Sequence, residues 1–154
     1  MIKIFVSLSI LLLSLSACEN GPIKSSTAIA DNSNSSTPNS TNINETDLQN
    51  QTLILQGTFV SGVHATSGTV KIYEDKNLNR SLVFENFKTD SGPDLRIYMA
   101  EDKVLTNFIQ ITDKANTSGN YMLPIPANVD LKKQTTVIIW CRSFSVLFGS
   151  ASLK

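Results

Sequence analysis

The 154-residue chain is short of cysteine, of histidine and of any charge excess. Two cysteines and one histidine cannot build a disulfide scaffold, a Cys-x-x-Cys redox pair, a four-ligand zinc site or an iron–sulfur cluster. The 13 basic and 13 acidic residues cancel, so the basic footprint of a nucleic-acid binder is missing. No apolar run reaches the roughly 20 residues that span a bilayer. No segment carries an i, i+3, i+4, i+7 stripe over three turns, which excludes a helical architecture. Neither a Ser/His/Asp triad with sensible spacing nor a phosphate-binding glycine loop is present, and a hydrolase therefore has no support.

What is present begins with an address. Lys3 is followed by a nearly unbroken apolar stretch from Ile4 to Leu15, the length of a secretory h-region and too short for a membrane span. It ends in Leu15-Ser16-Ala17-Cys18, which resembles the lipobox of bacterial lipoproteins. That resemblance implies that residues 1–17 are a signal peptide and that Cys18 becomes a lipidated, acylated N-terminus. Two or more acyl chains (palmitate-type) anchor a protein stably where one does not. The expected location is the bacterial cell envelope. Glu19 follows the cysteine in place of Asp, the residue associated with inner-membrane retention, so the outer membrane is the expected destination. Cleavage removes Lys3 and leaves 13 − 1 = 12 basic against 13 acidic residues, so no electrostatic pull onto anionic lipid is expected.

Residues 18–50 read as the lipidated cysteine and a tether. Of the 32 residues from 19 to 50, 17 are Ser, Thr or Asn, and the few apolar ones form no face. Such a segment cannot offset its ordering entropy by burial, and it is expected to be disordered. A flexible coil of this length reaches roughly 30 Å, which holds the domain clear of the lipid.

The remaining residues, 51–154, suffice for one domain. Their pattern has period two. Leu53, Leu55 and Phe59 alternate with polar neighbours, as do Val70 and Ile72, Leu82 and Phe84, and Leu95, Ile97 and Met99. Phe108–Ile111, Tyr121–Leu123 and Val146–Phe148 add candidate strands. Turn signals such as Asp75-Lys76-Asn77 and Ser91-Gly92-Pro93 separate them. This predicts an all-β fold, an antiparallel sandwich or partly closed barrel of seven to nine short strands. The segment Thr135–Cys141 is apolar on both faces and is the expected central strand. Trp140 within it is expected to supply the largest buried area, and Tyr73, Tyr98 and Tyr121 to be half-exposed sheet residues.

Several local features then coincide in order. They are Gly57-Thr58-Phe59, His64-Ala65-Thr66-Ser67-Gly68-Thr69-Val70, Leu82-Val83-Phe84-Glu85-Asn86-Phe87 and Gly92-Pro93-Asp94-Leu95. Gly119-Asn120-Tyr121-Met122-Leu123-Pro124, Trp140-Cys141-Arg142-Ser143-Phe144 and the closing Phe148–Leu153 follow. Over about residues 54–154 this series resembles the DM13 domain. The resemblance implies an extracytoplasmic β domain and a candidate electron-transfer module, with the cysteine of the Trp-Cys motif, here Cys141, as actor. That cysteine would serve as a bare thiol or as a ligand to a prosthetic group.

Cys141 is the only thiol left once Cys18 is lipidated. Two readings of it stay open. It is a redox thiol forming a sulfenic acid, a mixed disulfide or an axial bond to a non-covalent haem, or it is a small core residue. Strand parity places it with Val137 and Ile139 and turns Arg142 away, and a thiol so buried reacts slowly. His64, in a loop, is a candidate haem or copper ligand, with Cys141, Met99 or Met122, or else a surface hydrogen-bonding group. No metal site is expected. Asp94 is expected to serve a turn. The expected partners are the membrane, through Cys18, and an envelope protein or redox partner. The alternative function is a non-catalytic module that binds a protein or glycan at the envelope.

Overall fold

The computed structural model describes residues 41–43 and 48–154. The signal peptide, Cys18 and most of the expected tether lie outside the described residues. Ten strands run in order: β1 (Thr41–Asn42), β2 (Thr52–Thr58), β3 (Val60–Ser61), β4 (Thr66–Glu74), β5 (Arg80–Thr89), β6 (Leu95–Ala100), β7 (Ile109–Thr112), β8 (Ser118–Ile125), β9 (Thr136–Cys141) and β10 (Val146–Ser152). The eight longer ones coincide with the eight segments of alternating or continuous apolar pattern. They form two antiparallel sheets, ordered β1-β8-β5-β4-β2 and β3-β10-β9-β6-β7. The sheets do not close into a barrel, so the architecture is a β-sandwich. β1 falls within the segment expected to be tether, and its residues pair with Met122 and Tyr121 of β8.

The two inner faces make the main core. Val70, Ile72, Leu82, Phe84, Ile97, Met99, Val137, Ile139 and Cys141 are all buried in it, as the period-two reading requires. Leu53 departs from that reading and stays exposed. It lies on an edge strand, before the register shift between Leu53 and Leu55. In β5 a bulge breaks the parity. Its register shifts between Phe84 and Phe87, Asn86 takes a positive φ of 49°, and both phenylalanines therefore point inward. Phe59, Phe84, Phe87 and Tyr121 then pack as an aromatic block, with Phe84 stacked on Tyr121 at 4.5 Å between centroids. Tyr121 is thus a core residue and not half-exposed. Its spacing matches Leu123 on the inner face, and burial drives its hydroxyl far above the usual phenol range.

β9 is the third of five strands in its sheet, and its outer face is also covered. There Tyr98, Ala100 and Ile138 form a second cluster, with Leu105, Trp140 and Leu147 packed on it. Phe108 meets the Tyr98 ring edge-on at 4.9 Å. Tyr98 is consequently buried, against expectation. Trp140 is only half-buried, also against expectation. Val137, Ile139 and Cys141 take the inner side, so parity sends the indole outward, where the cover is incomplete.

That cover is the turn after β6, and it repeats the turn after β4. Glu74-Asp75-Lys76-Asn77-Leu78-Asn79 and Glu101-Asp102-Lys103-Val104-Leu105-Thr106 share the pattern Glu-Asp-Lys-x-Leu. In each, the aspartate carboxylate accepts from two backbone amides, those of Asn77 and Asn79 or of Val104 and Thr106. These bonds hold both carboxyls below the usual aspartate range, the Asn79 side chain leading at Asp75 and the Thr106 amide at Asp102. In each, the leucine is left-handed, with φ of 65° at Leu78 and 64° at Leu105. A leucine there costs roughly 1–2 kcal/mol relative to a residue that tolerates the region. Leu78 is 72% exposed and gains nothing in return, whereas Leu105 packs on the outer cluster. Leu78→Asn is therefore expected to raise stability by about 0.5–1 kcal/mol and Leu105→Asn to lower it. Urea denaturation of the two variants beside the parent checks the opposite signs.

Candidate functional site

The end of the sandwich that carries Cys141 is built on a buried hydroxyl. Thr66, at the start of β4, is buried together with Thr89 at the end of β5. Their side-chain oxygens lie 2.8 Å apart, and Thr66 Oγ1 donates to the Phe148 carbonyl at 3.1 Å. The geometry fits a relay in which Thr89 donates to Thr66 and Thr66 donates to Phe148. It joins the first sheet to the second across the core.

The carbonyl is available because β10 bulges there, with its register shifting between Leu147 and Gly149. The bulge turns the Phe148 ring inward and brings Gly149 against Thr66. A Cβ on Gly149 would lie 2.5 Å from Thr66 Cβ. The amide of Gly62 donates to the same Phe148 carbonyl at 2.7 Å, and Val63 N donates to Leu147 O. These bonds bring the loop 61–65 onto β10, and His64 with it.

His64 lies over Phe148 with ring centroids 3.9 Å apart, and its Nδ1 is 3.1 Å from Asp90 Oδ2. Its side chain is 40% exposed. Phe148 touches the Gly92 turn, where Leu95 also packs. Leu95 is the cross-strand partner of Cys141. Cys141 is a free thiol with no exposed surface. It is also the last residue of β9, and the turn Arg142–Ser145 that follows is exposed throughout.

A haem held by Cys141 and His64 does not fit this arrangement. Iron must reach the sulfur, yet Cys141 is buried in the main core with no exposed surface, whereas His64 lies on a partly exposed loop against Phe148. Met99 is likewise buried in the main core. Among the described residues no group of three or more His, Cys, Asp or Glu is arranged to hold a metal ion. Asp94 does serve the turn before β6, but through a side chain rather than backbone amides. Arg96 Nε donates to its carboxylate at 2.8 Å, and Arg96 Nη1 donates to Gln110. The Asp94 carbonyl accepts from Arg142 N.

Thr66, Thr89 and Asp90 were not singled out by sequence. One signal was available, since a glycine inside an apolar strand pattern marks a bulge or a close backbone approach, and Gly149 follows Phe148.

The fold and this end together define a two-sheet antiparallel β domain with one free thiol sealed at the edge of its central strand. More narrowly, the chain belongs to the DM13 family: the family model described as "Electron transfer DM13" matches residues 58–153. No curated protein and no solved structure matches the chain.

Gly149→Ala is expected to destabilise the domain by about 1–3 kcal/mol, the range for forcing a methyl into a packed core. Thermal unfolding beside the parent measures it, and an unchanged melting temperature would contradict the packing of β10 on Thr66.

Proposed function

We propose that the protein is anchored in the bacterial cell envelope by a lipid on Cys18, in the outer membrane, and that its DM13 domain transfers electrons through the Cys141 thiol after a local opening. Membership of the electron-transfer family supports the chemistry. The position of Cys141 supports the route. The thiol is enclosed in the resting fold, but it is one residue from the exposed turn 142–145. The ends of elements open at lower free energy than the whole domain does.

Once reached, the Cys141 thiolate attacks one sulfur of a disulfide on an envelope partner. A new S–S bond forms to Cys141, the partner's S–S bond breaks, and the second partner sulfur leaves as a thiolate. The Cys141 sulfur is oxidised and the departing sulfur is reduced. A dithiol on a second envelope protein then attacks the Cys141 sulfur of this mixed disulfide, releasing the first partner as its dithiol. The second protein's other thiol displaces Cys141 as a thiolate while forming that protein's own disulfide. Two electrons pass from dithiol to disulfide, so the domain needs no second cysteine of its own.

The thiol test is native-state alkylation of the whole protein. Labelling of Cys141 by a small maleimide is expected to run at least about tenfold faster than global unfolding allows, and to slow little in a variant stabilised far from the turn. Labelling that tracks global unfolding would make Cys141 a packing residue and leave the domain a non-catalytic binding or interaction module. The anchor is tested separately. Cys18→Ser, expressed in a bacterium that processes lipoproteins, is expected to lose radiolabelled palmitate and its membrane fractionation. Retained label would refute the assignment.

A further inference from the structure

The two sheets meet at a corner away from the Cys141 end of β9. The chain leaves the first sheet at the end of β2, turns at the buried Phe59 and enters the second as β3. Gln56 and Lys154 exchange backbone hydrogen bonds at 3.1 and 3.0 Å, which ties β2 to the segment after β10. The approach is close: a Cβ on Gly57 would lie 2.4 Å from the Ser152 carbonyl oxygen. Outside this corner is a cleft of about 650 Å³, lined in part by Lys71, Glu85, Lys103, Ser150 and Lys154.

The charge in the cleft is unbalanced. Counting side chains, its lining holds three lysines and one carboxylate, so 3 − 1 = +2, and the α-carboxylate of Lys154, the last residue of the sequence, lowers this to 2 − 1 = +1. Lys71 is taken by Glu85, at 2.7 Å. Lys103 and Lys154 make no ion pair among the described residues. A second observation is independent of charge. Ser150 is only 3% exposed, and its hydroxyl makes no hydrogen bond among the described residues. That hydroxyl is nevertheless not fully occluded. Since Ser150 lines the cleft, the open side of its hydroxyl faces there. Water can reach that hydroxyl only from the cleft, so a ligand oxygen seated there could take the water's place and accept the bond.

We infer that this cleft is a binding site for a small oxyanionic molecule, one bearing a phosphate or several carboxylates. Lys103 and Lys154 supply the charge and the Ser150 hydroxyl a fixed donor at the floor. The volume suits a small metabolite, and lysine ammoniums act on such anions as point charges. Glu85 sets the strength by occupying Lys71. The site lies away from the Cys141 end, so it stands or falls independently of the thiol chemistry.

The test is titration of the whole protein with pyrophosphate and with citrate, followed by calorimetry and by amide NMR shifts. Saturable one-to-one binding of at least one probe is expected, with shifts at Ser150 and Lys103. Lys103→Ser with Lys154→Ser is expected to weaken it by about tenfold or more, and Ser150→Ala by several-fold. Glu85→Gln, which frees Lys71, is expected to tighten it. The charge-matched control Lys132→Ser with Lys133→Ser, outside the cleft, is expected to change affinity little. Binding that never saturates would overturn the inference, as would equal weakening by the two double variants or a Glu85→Gln variant that binds no more tightly.

Discussion

The hydrogen-bond relay from Thr89 through Thr66 to the Phe148 carbonyl is the interaction on which the Cys141 end of the sandwich depends. Both threonines are buried, where an unpaired hydroxyl would cost about 1–3 kcal/mol. The relay satisfies them only if β10 presents a carbonyl at that height, and the bulge at Phe148 does so. The bulge then dictates what surrounds it. Phe148 must turn inward, Gly149 must lack a side chain, and the loop with His64 must lie along β10. The packing of Phe148, Gly149 and the His64 loop is thus a consequence of where one carbonyl oxygen has to be.

β10 carries both regions of interest, and the same strand treats them differently. At its start, the bulge closes the core around Phe148. At its far end, Ser150 and Ser152 face a cleft. Small residues serve both ends for different reasons. Gly149 admits Thr66, Gly57 lets a backbone carbonyl approach, and Ser150 leaves room and a hydroxyl where a larger residue would fill the corner. The closing run Phe148-Gly149-Ser150-Ala151-Ser152-Leu153 is therefore not featureless.

The sandwich was legible because alternation is a direct image of a two-faced strand. Val70 with Ile72 and Ile97 with Met99 needed only their spacing, and β9 declared its central place by being apolar on both sides. Three kinds of feature were not legible. Bulges add a residue and invert parity, so Phe84 and Phe87 both face inward from an odd separation. Coverage of the outer face depends on a turn that folds back, so nothing local to Trp140 or Tyr98 tells which of them is buried. The cleft gathers Lys71, Lys103 and Lys154 from a strand, a turn and a terminal segment, and only the sheet register relates them. Of the paired Glu-Asp-Lys-x-Leu turns, the sequence signalled the one at Asp75-Lys76-Asn77, while its counterpart at Glu101–Leu105 emerged only with the structure. Their left-handed leucines were not legible, because that conformation normally selects Gly or Asn.

A sealed thiol and an electron-transfer role are compatible for a reason rooted in compartment. In the envelope proposed for this protein, free thiols meet oxidants continually, and an exposed lone cysteine would pass to mixed disulfides or higher oxides without a partner's involvement. Burial of Cys141 in the main core would keep the sulfur reduced by default in that setting. What a docking partner would have to supply is then not an oxidant alone but the free energy to displace the turn 142–145 and the edge of β10. Selectivity would come from that opening rather than from the chemistry of the sulfur, since a bare thiol distinguishes poorly between disulfides. On the proposed route, Arg142 heads the turn that would have to open, and in the closed fold its backbone amide is held to the Asp94 carbonyl.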